Sequence, residues 1–171
     1  VGPLMQLETV ANTIAEGDYA HRMALTGTRE VDRVGSALNT MAEAVAQREQ
    51  QIVRLAYQDS LTGLANRRLF NSFLHNEWRR SMREHTPLSL IMLDLDNFKA
   101  CNDHLGHQMG DGSLQLVGHL LQSFCQRPAD LPCRFGGDEF ALILGNTDRD
   151  AAQRIGEEIR QAINDLDIVV A

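Results

Sequence analysis

The 171-residue sequence contains no run of about 18 apolar residues, so no helix is expected to cross a membrane, and no signal-peptide pattern stands in it. It also lacks an excess of positive charge. Sixteen Lys and Arg face 23 Asp and Glu, for a net charge of −7, which argues against broad binding to DNA or RNA. Cysteine is scarce. Cys101, Cys125 and Cys133 are odd in number and have no metal-ligand spacing, so they read as buried reduced thiols rather than a disulfide framework. What is present is apolar material. At 43% hydrophobic, the chain can build one sizeable core, or a medium domain with a small extension.

Character changes near residue 58. Residues 3–57 read as two helices with a loop between them. Leu4, Leu7, Ala11 and Ile14 recur at spacings of three and four, and Gly17-Asp18 ends that helix. The loop from Tyr19 to Arg29 carries turn-prone Gly27 and two isolated apolar residues, Met23 and Leu25. The second helix carries Val31, Val34, Leu38, Met41, Val45, Ile52 and Leu55, with Arg48 as the one polar interruption. Such a seam suits a coiled coil better than a globular surface helix. A parallel homodimer of four helices would bury it; a hairpin packed on the following domain is the alternative. Pro3, Leu4, Leu7, the IAEGD ending at Asp18, Glu30 and LNTM at 38–41 resemble a HAMP domain, a signal-relay module. The resemblance implies a transmembrane segment upstream of this chain. The chain itself is then a soluble part on the cytoplasmic side of a bacterial inner membrane.

From Asp59 the pattern becomes α/β. DSLTGLANRRLF (59–70) reads as a capped turn entering a helix that ends near Arg83. PLSLIMLDLD (87–96) is a continuous apolar run ending in aspartates, expected as a fully buried central strand whose end emerges into a site. A short helix near Phe98–His104, a loop, and a helix from Asp111 to Cys125 should follow. LPCRF and EFALIL read as strands of a hairpin joined at Gly136-Gly137, where both positions favour positive φ. A capped amphipathic helix from NTDRD and a last strand opening at DIVVA complete the reading.

The dipeptide Gly136-Gly137 stands directly against Asp138-Glu139. If the 88–94 strand lies beside this hairpin, Asp94 comes near Asp138. Carboxylates held together repel, and a hard divalent cation removes that cost, with phosphate oxygens completing its shell. The glycines also let a bulky ligand approach the backbone. A solvated hairpin tip is the plain alternative for the turn taken alone.

DSLTGLANRRLF, DLDNFKACNDHLGHQMGD (94–111) and RFGGDEF (134–140), in that order and spacing, resemble the GGDEF domain of the diguanylate cyclase family. The resemblance implies an α/β (α+β), ferredoxin-like, nucleotidyl-cyclase palm fold that condenses two GTP into cyclic di-GMP and two pyrophosphates. It divides the chain into a HAMP-like relay domain (1–46), a coiled-coil stalk (47–58) and the cyclase domain (59–171). Asp94 and Asp138 would ligate Mg²⁺ (or Mn²⁺), helped by the Leu95 carbonyl, with Glu139 at a second ion. The family also assigns Asp138 the general base, although a metal-bound carboxylate is a weak base. Lys99 would neutralise phosphate charge; without its neighbours it reads as a solvated lysine. Asn102 and Asp111 would read guanine, His107 would line the nucleotide pocket, and Gly136 and Gly137 would admit the nucleotide. As a structural alternative Asp111 is a helix N-cap. Arg127 and Asp130 have the spacing of an inhibitory product site for cyclic di-GMP; the alternative is a loop salt bridge. The family's domain continues past a strand like DIVVA into a helix bearing a lysine and an arginine for the triphosphate. The 171 residues are therefore expected to be incomplete at the C-terminus and, alone, to dimerise while making little product. A non-catalytic module that binds GTP or cyclic di-GMP, or relays a signal by protein contact, is the competing function.

Overall fold

The structure, a computed structural model, describes residues 2–24 and 29–166. Leu25, Gly27 and the strand expected from Asp167 lie outside the described residues. The chain divides between Arg54 and Leu55 into two compact units.

The first unit contains α1 (Pro3–Ala15) and most of α2 (Arg29–Tyr57). Helix α1 ends where expected, with Gly17 at φ 97° just beyond it. Met23, isolated in the sequence, is an anchor. It is 5% exposed, and its sulfur fills the space beside Gly35, where a Cβ would lie 2.7 Å away. The Asn39 carboxamide grips Met23 at both its N–H (2.9 Å) and its carbonyl (3.1 Å). Ala42 is fully buried. In contrast, Val34, Met41, Ile52 and Leu55 of the α2 seam are exposed.

The second unit continues with β1 (Ala65–Asn66), α3 (Arg67–Glu84), β2 (Leu88–Asp94), α4 (Phe98–Leu105), α5 (His107–Phe124), β3 (Asp130–Gly136), β4 (Glu139–Gly145) and α6 (Arg149–Asp165). The sheet order is β1-β3-β4-β2. Strand β4 runs antiparallel to both neighbours, and β1 runs parallel to β3. Hence β2-α5-β3-β4-α6 has the split βαβ connectivity of a ferredoxin-like fold. Helices α5 and α6 cover one face through Leu114, Val117, Leu121 and Ile159, packed on Phe140, Leu142 and Leu144. Helix α3 covers the other through Phe70, packed on Cys133, Ala141 and Ile143.

The strand buried on both faces is β4, not β2. Phe140 to Leu144 are all fully buried, each large side chain contributing roughly 1.5–3 kcal/mol. Among the described residues β2 pairs on one side only, and Leu90 and Met92 are about half exposed at 48% and 52%. The apolar run alone carries no information about which strand has neighbours on both sides. The helix expected from Asp111 begins earlier, at His107, separated from α4 only by Gly106 at φ 84°. Asp111 therefore sits inside α5 and is not its N-cap. All three cysteines are buried, and burial pushes the thiols of Cys125 and Cys133 up to about 12, so both stay protonated. Among the described residues no helix is long and apolar enough to cross a membrane.

Candidate functional site

The β3–β4 hairpin turns at Gly137 and Asp138. Only Gly137 has positive φ, at 53°; Gly136 ends β3 with ordinary geometry, which corrects the expectation for both glycines. The ladder places Asp94, the last residue of β2, directly opposite Glu139, the first of β4. Like charges facing each other across an antiparallel pair destabilise it. Asp138 adjoins them in the turn and is half-buried. Leu95 follows Asp94, and its carbonyl accepts one 3.3 Å bond from the Phe98 N–H, which leaves a lone pair for another partner.

The chain next enters α4 through Asn97, held at φ 57°. Lys99 lies in the first turn of α4 and is exposed. Asn102 is half-buried, and its Oδ1 is a buried acceptor without a hydrogen-bond partner among the described residues. That oxygen lies over Gly110 of α5, where a Cβ would come within 1.8 Å of it. A side chain at position 110 would therefore displace the Asn102 carboxamide. His107 and Asp111 are exposed on the first turns of α5.

Asp94, Leu95, Asp138 and Glu139 stand at one end of the sheet, where β2 finishes and the hairpin turns. No three His, Cys, Asp or Glu side chains among the described residues form a ready-made metal cage. The donors at this end are hard oxygens, few in number. They fit Mg²⁺, which takes one or two carboxylates and fills its remaining positions with phosphate and water. A concavity of about 890 Å³ runs along β2 and α6 and includes Asp94 and Leu95 from the predicted set, but not Lys99, Asn102, His107, Asp111, Asp138 or Glu139.

Two anchors of the turn escaped sequence reasoning. Arg134 donates from Nε to the Gly137 carbonyl at 2.9 Å and pairs with Asp59 at 3.2 Å. Asp59 also accepts from the Thr62 N–H (2.9 Å) and hydroxyl (2.7 Å). Burial works to raise the Asp59 carboxyl, but the bonds from Thr62 and Arg134 outweigh it and hold the group below its ordinary value. Asn66 is the second anchor. Its Oδ1 caps α3 through the N–H groups of Arg68 and Leu69, its Nδ2 donates to the Ala56 carbonyl at 3.0 Å, and it pairs with Arg134 in the sheet. The signal was present in the 59–70 stretch and in the Arg preceding the glycines, but residue spacing does not say which distant groups meet.

At the opposite end of β3, Arg127 and Asp130 form a bidentate pair at 2.8 and 2.9 Å. The Asp130 side chain is 2% exposed and that of Arg127 52%. Arg127 also donates to the Thr147 hydroxyl at 2.9 Å. Both line a shallow concavity of about 440 Å³. The salt bridge therefore exists, and it presents a fixed guanidinium to solvent.

The profile of the diguanylate cyclase, GGDEF domain family matches residues 56–171. The chain belongs to the GGDEF domain family. A HAMP domain profile matches residues 1–47, ahead of the GGDEF domain. Diguanylate cyclase TpbB of Pseudomonas aeruginosa is 36% identical over 152 residues, covering 84% of this chain and 35% of that protein. Response regulator PleD of Caulobacter vibrioides is 40% identical over 119 residues, covering 70% and 26% respectively. The chain thus spans about a third or less of the length of these relatives. Among solved structures, the coiled coil and GGDEF domain of DgcB from Caulobacter crescentus, in complex with c-di-GMP, matches with a TM-score of 0.66 at 31% identity. The match covers 72% of this chain and 64% of that one. The mixed α/β architecture of the second unit is that of the GGDEF domain.

Proposed function

We propose that this chain is part of a diguanylate cyclase that condenses two GTP into cyclic di-GMP and two pyrophosphates, as the output of a membrane receptor. The observation that carries the reading is Asp94 facing Glu139 across the ladder, beside Asp138 in the turn. Asp94, Asp138 and the Leu95 carbonyl would hold Mg²⁺ or Mn²⁺, with Glu139 at a second ion. When bound, such ions stabilise triphosphate charge and lower the pKa of the attacking hydroxyl.

The chain's own groups do the rest. Asp111 accepts the two adjacent N–H donors of guanine, and the Asn102 Nδ2–H₂ donates to the carbonyl oxygen that remains on that edge. Adenine leaves Asp111 unmatched. Lys99, in the first turn of α4, neutralises phosphate charge, and His107 borders the nucleotide. Gly136 and Gly137 leave room for it, because a Cβ at Gly137 would meet nothing within 4 Å, and one at Gly136 only the end of Glu139. Asp138 or a water it orders takes the proton of the 3′-hydroxyl as that oxygen attacks the α-phosphate of the facing GTP and pyrophosphate leaves.

One domain holds one GTP, so the reaction needs two copies. The exposed seam of Val34, Met41, Ile52 and Leu55 supports a parallel homodimer through residues 1–46 and the 47–58 stalk. Rotation or register of those helices then controls whether the two sites face each other. Arg127, oriented by Asp130, binds cyclic di-GMP as an inhibitory product. The test is incubation of the full-length protein with GTP and Mg²⁺. Cyclic di-GMP is the expected product, and its absence from a folded, dimeric preparation would overturn the reading in favour of a binding or relay module.

A further inference from the structure

The strand leading into the carboxylate turn is irregular. Positions Asp130 to Arg134 pair with Leu144 to Phe140 in steady register, but Gly136, not Phe135, faces Glu139. Phe135 is thus the extra residue of a β-bulge, a device that re-aims side chains near functional sites. Without it, Phe135 would oppose Glu139, and Gly136 to Asp138 would form a longer, three-residue loop. With it, Gly137 and Asp138 alone make the turn, and Glu139 stays in the ladder opposite Asp94. A bulge leaves its extra residue unpaired in the ladder, so side-chain contacts must hold it in place.

Those contacts are present. The Phe135 ring meets Phe70 edge-to-face, with centroids 5.3 Å apart and planes at 83°. The Arg67 guanidinium lies over the Phe135 ring, 4.6 Å from its centre. Phe70 is 4% exposed in the core beneath α3, whereas Arg67 is exposed at the first position of that helix. Phe135 shares the α3 face of the sheet with Leu131, Cys133, Ala141 and Leu88. Strand alternation puts Glu139 and Asp94 on that same face, so bulge and facing carboxylates form one row across β3, β4 and β2.

We infer that Arg67 and Phe135, backed by Phe70, are positioning residues that fix the bulge and so aim the Asp138–Glu139 turn at the divalent cation. This rests on the cyclase reading of the site. Neither residue touches the cation or the nucleotide; both act by narrowing the orientations open to the carboxylates. Arg134, bonded to the Gly137 carbonyl and Asp59, restrains the opposite side of the same strand.

The experiment compares Arg67→Ala, Phe135→Ala and the conservative Phe135→Tyr in the full-length protein. Three quantities are read: the Mg²⁺ concentration for half-maximal rate, the affinity for Mn²⁺ by calorimetry, and Tm. Phe135→Ala should raise the metal requirement and weaken Mn²⁺ binding about tenfold, the scale of a lost aromatic pair. Arg67→Ala should do so about threefold, the scale of an exposed cation–π contact. Phe135→Tyr should restore both values. If Phe135→Ala does not fold, Arg67→Ala decides, because its side chain is on the surface. A fall in Tm with metal requirement and Mn²⁺ affinity unchanged overturns the inference and leaves these residues a structural role only. If the parent protein makes no cyclic di-GMP, the cyclase reading fails, and the calorimetric comparison still tests the clamp.

Discussion

The two units of the chain treat apolar residues in opposite ways. In the GGDEF domain the central strand is enclosed: Phe140 to Leu144 of β4 are wholly buried, and helices pack on each face of the sheet. In the helical unit Val10, Met23, Gly35 and Ala42 are enclosed, while Val34, Met41 and Ile52 remain in water. An exposed seam at coiled-coil spacing is a cost that a second copy of the helix removes. The second unit has its own core, and on the proposed function the exposed seam of the first is one half of an interface. On the proposed function both are needed, one for chemistry and the other for bringing two half-reactions together.

The largest expected effect lies on the catalytic side. Asp94→Asn and Asp138→Asn each remove a charge from the strand end without touching the core. Turnover should fall by about a hundredfold to a thousandfold, on the scale of losing one preorganised electrostatic contact, with an unchanged circular dichroism spectrum. Activity retained in both variants would remove the metal site from the account.

On the relay side, Met41→Glu and Ile52→Glu place like charges in the seam of the proposed dimer. Sedimentation should report monomers, and cyclic di-GMP formation should fall in step with the dimer fraction, while the Tm of the GGDEF domain stays put. Monomers that work at full rate would break the division of labour.

A smaller effect is expected at the opposite end of β3. Arg127→Ala should weaken cyclic di-GMP binding by about tenfold or more, since charge-assisted hydrogen bonds are worth roughly 1.5–3 kcal/mol. The initial rate should remain near that of the parent, and inhibition by accumulated product should disappear. Calorimetry with cyclic di-GMP reads this directly; unchanged affinity refutes the site.

The smallest effect concerns the junction after the stalk. Asp59 is held below its ordinary value of 3.8, so its contribution to stability is complete above that pH and is lost as pH falls through the lower folded value. Asp59→Asn should cost on the order of 1 kcal/mol at neutral pH, because the partners are only partly buried. Urea unfolding of the two proteins should converge only as pH falls well below 3.8, through the lower folded value at which the parent's carboxyl is protonated too. A constant difference at every pH would show that charge on Asp59 is irrelevant there.

Most of this organisation could be read from the residues, for local reasons. Helix α2, the β3–β4 hairpin and the capped helix α6 were legible because periodicity, a glycine pair and an Asp148 cap are short-range signals. The nearness of Asp94 to the turn followed from one assumption, that β2 lies beside the hairpin, and the ladder supplies it. Strand rank was misjudged, because SLIMLD and FALIL are equally apolar and only the sheet order decides which has two neighbours. The start of α5 was misplaced because Gly106 and Gly110 resemble a loop. Gly106 is a one-residue joint, and Gly110 serves close packing against Asn102. The Arg134–Asp59 pair and the Phe135 bulge join residues far apart in sequence, which no local pattern encodes.

The central claim is that a paired-carboxylate site that reads guanine makes a cyclic dinucleotide from two facing copies. The most direct test gives the full-length protein GTP and ATP in equal amounts with Mg²⁺, then follows products by mass spectrometry and pyrophosphate by assay. The account predicts cyclic di-GMP as the product, with two pyrophosphates released for each molecule formed. Cyclic di-AMP in comparable amount, or pyrophosphate release without any cyclic dinucleotide, would contradict it.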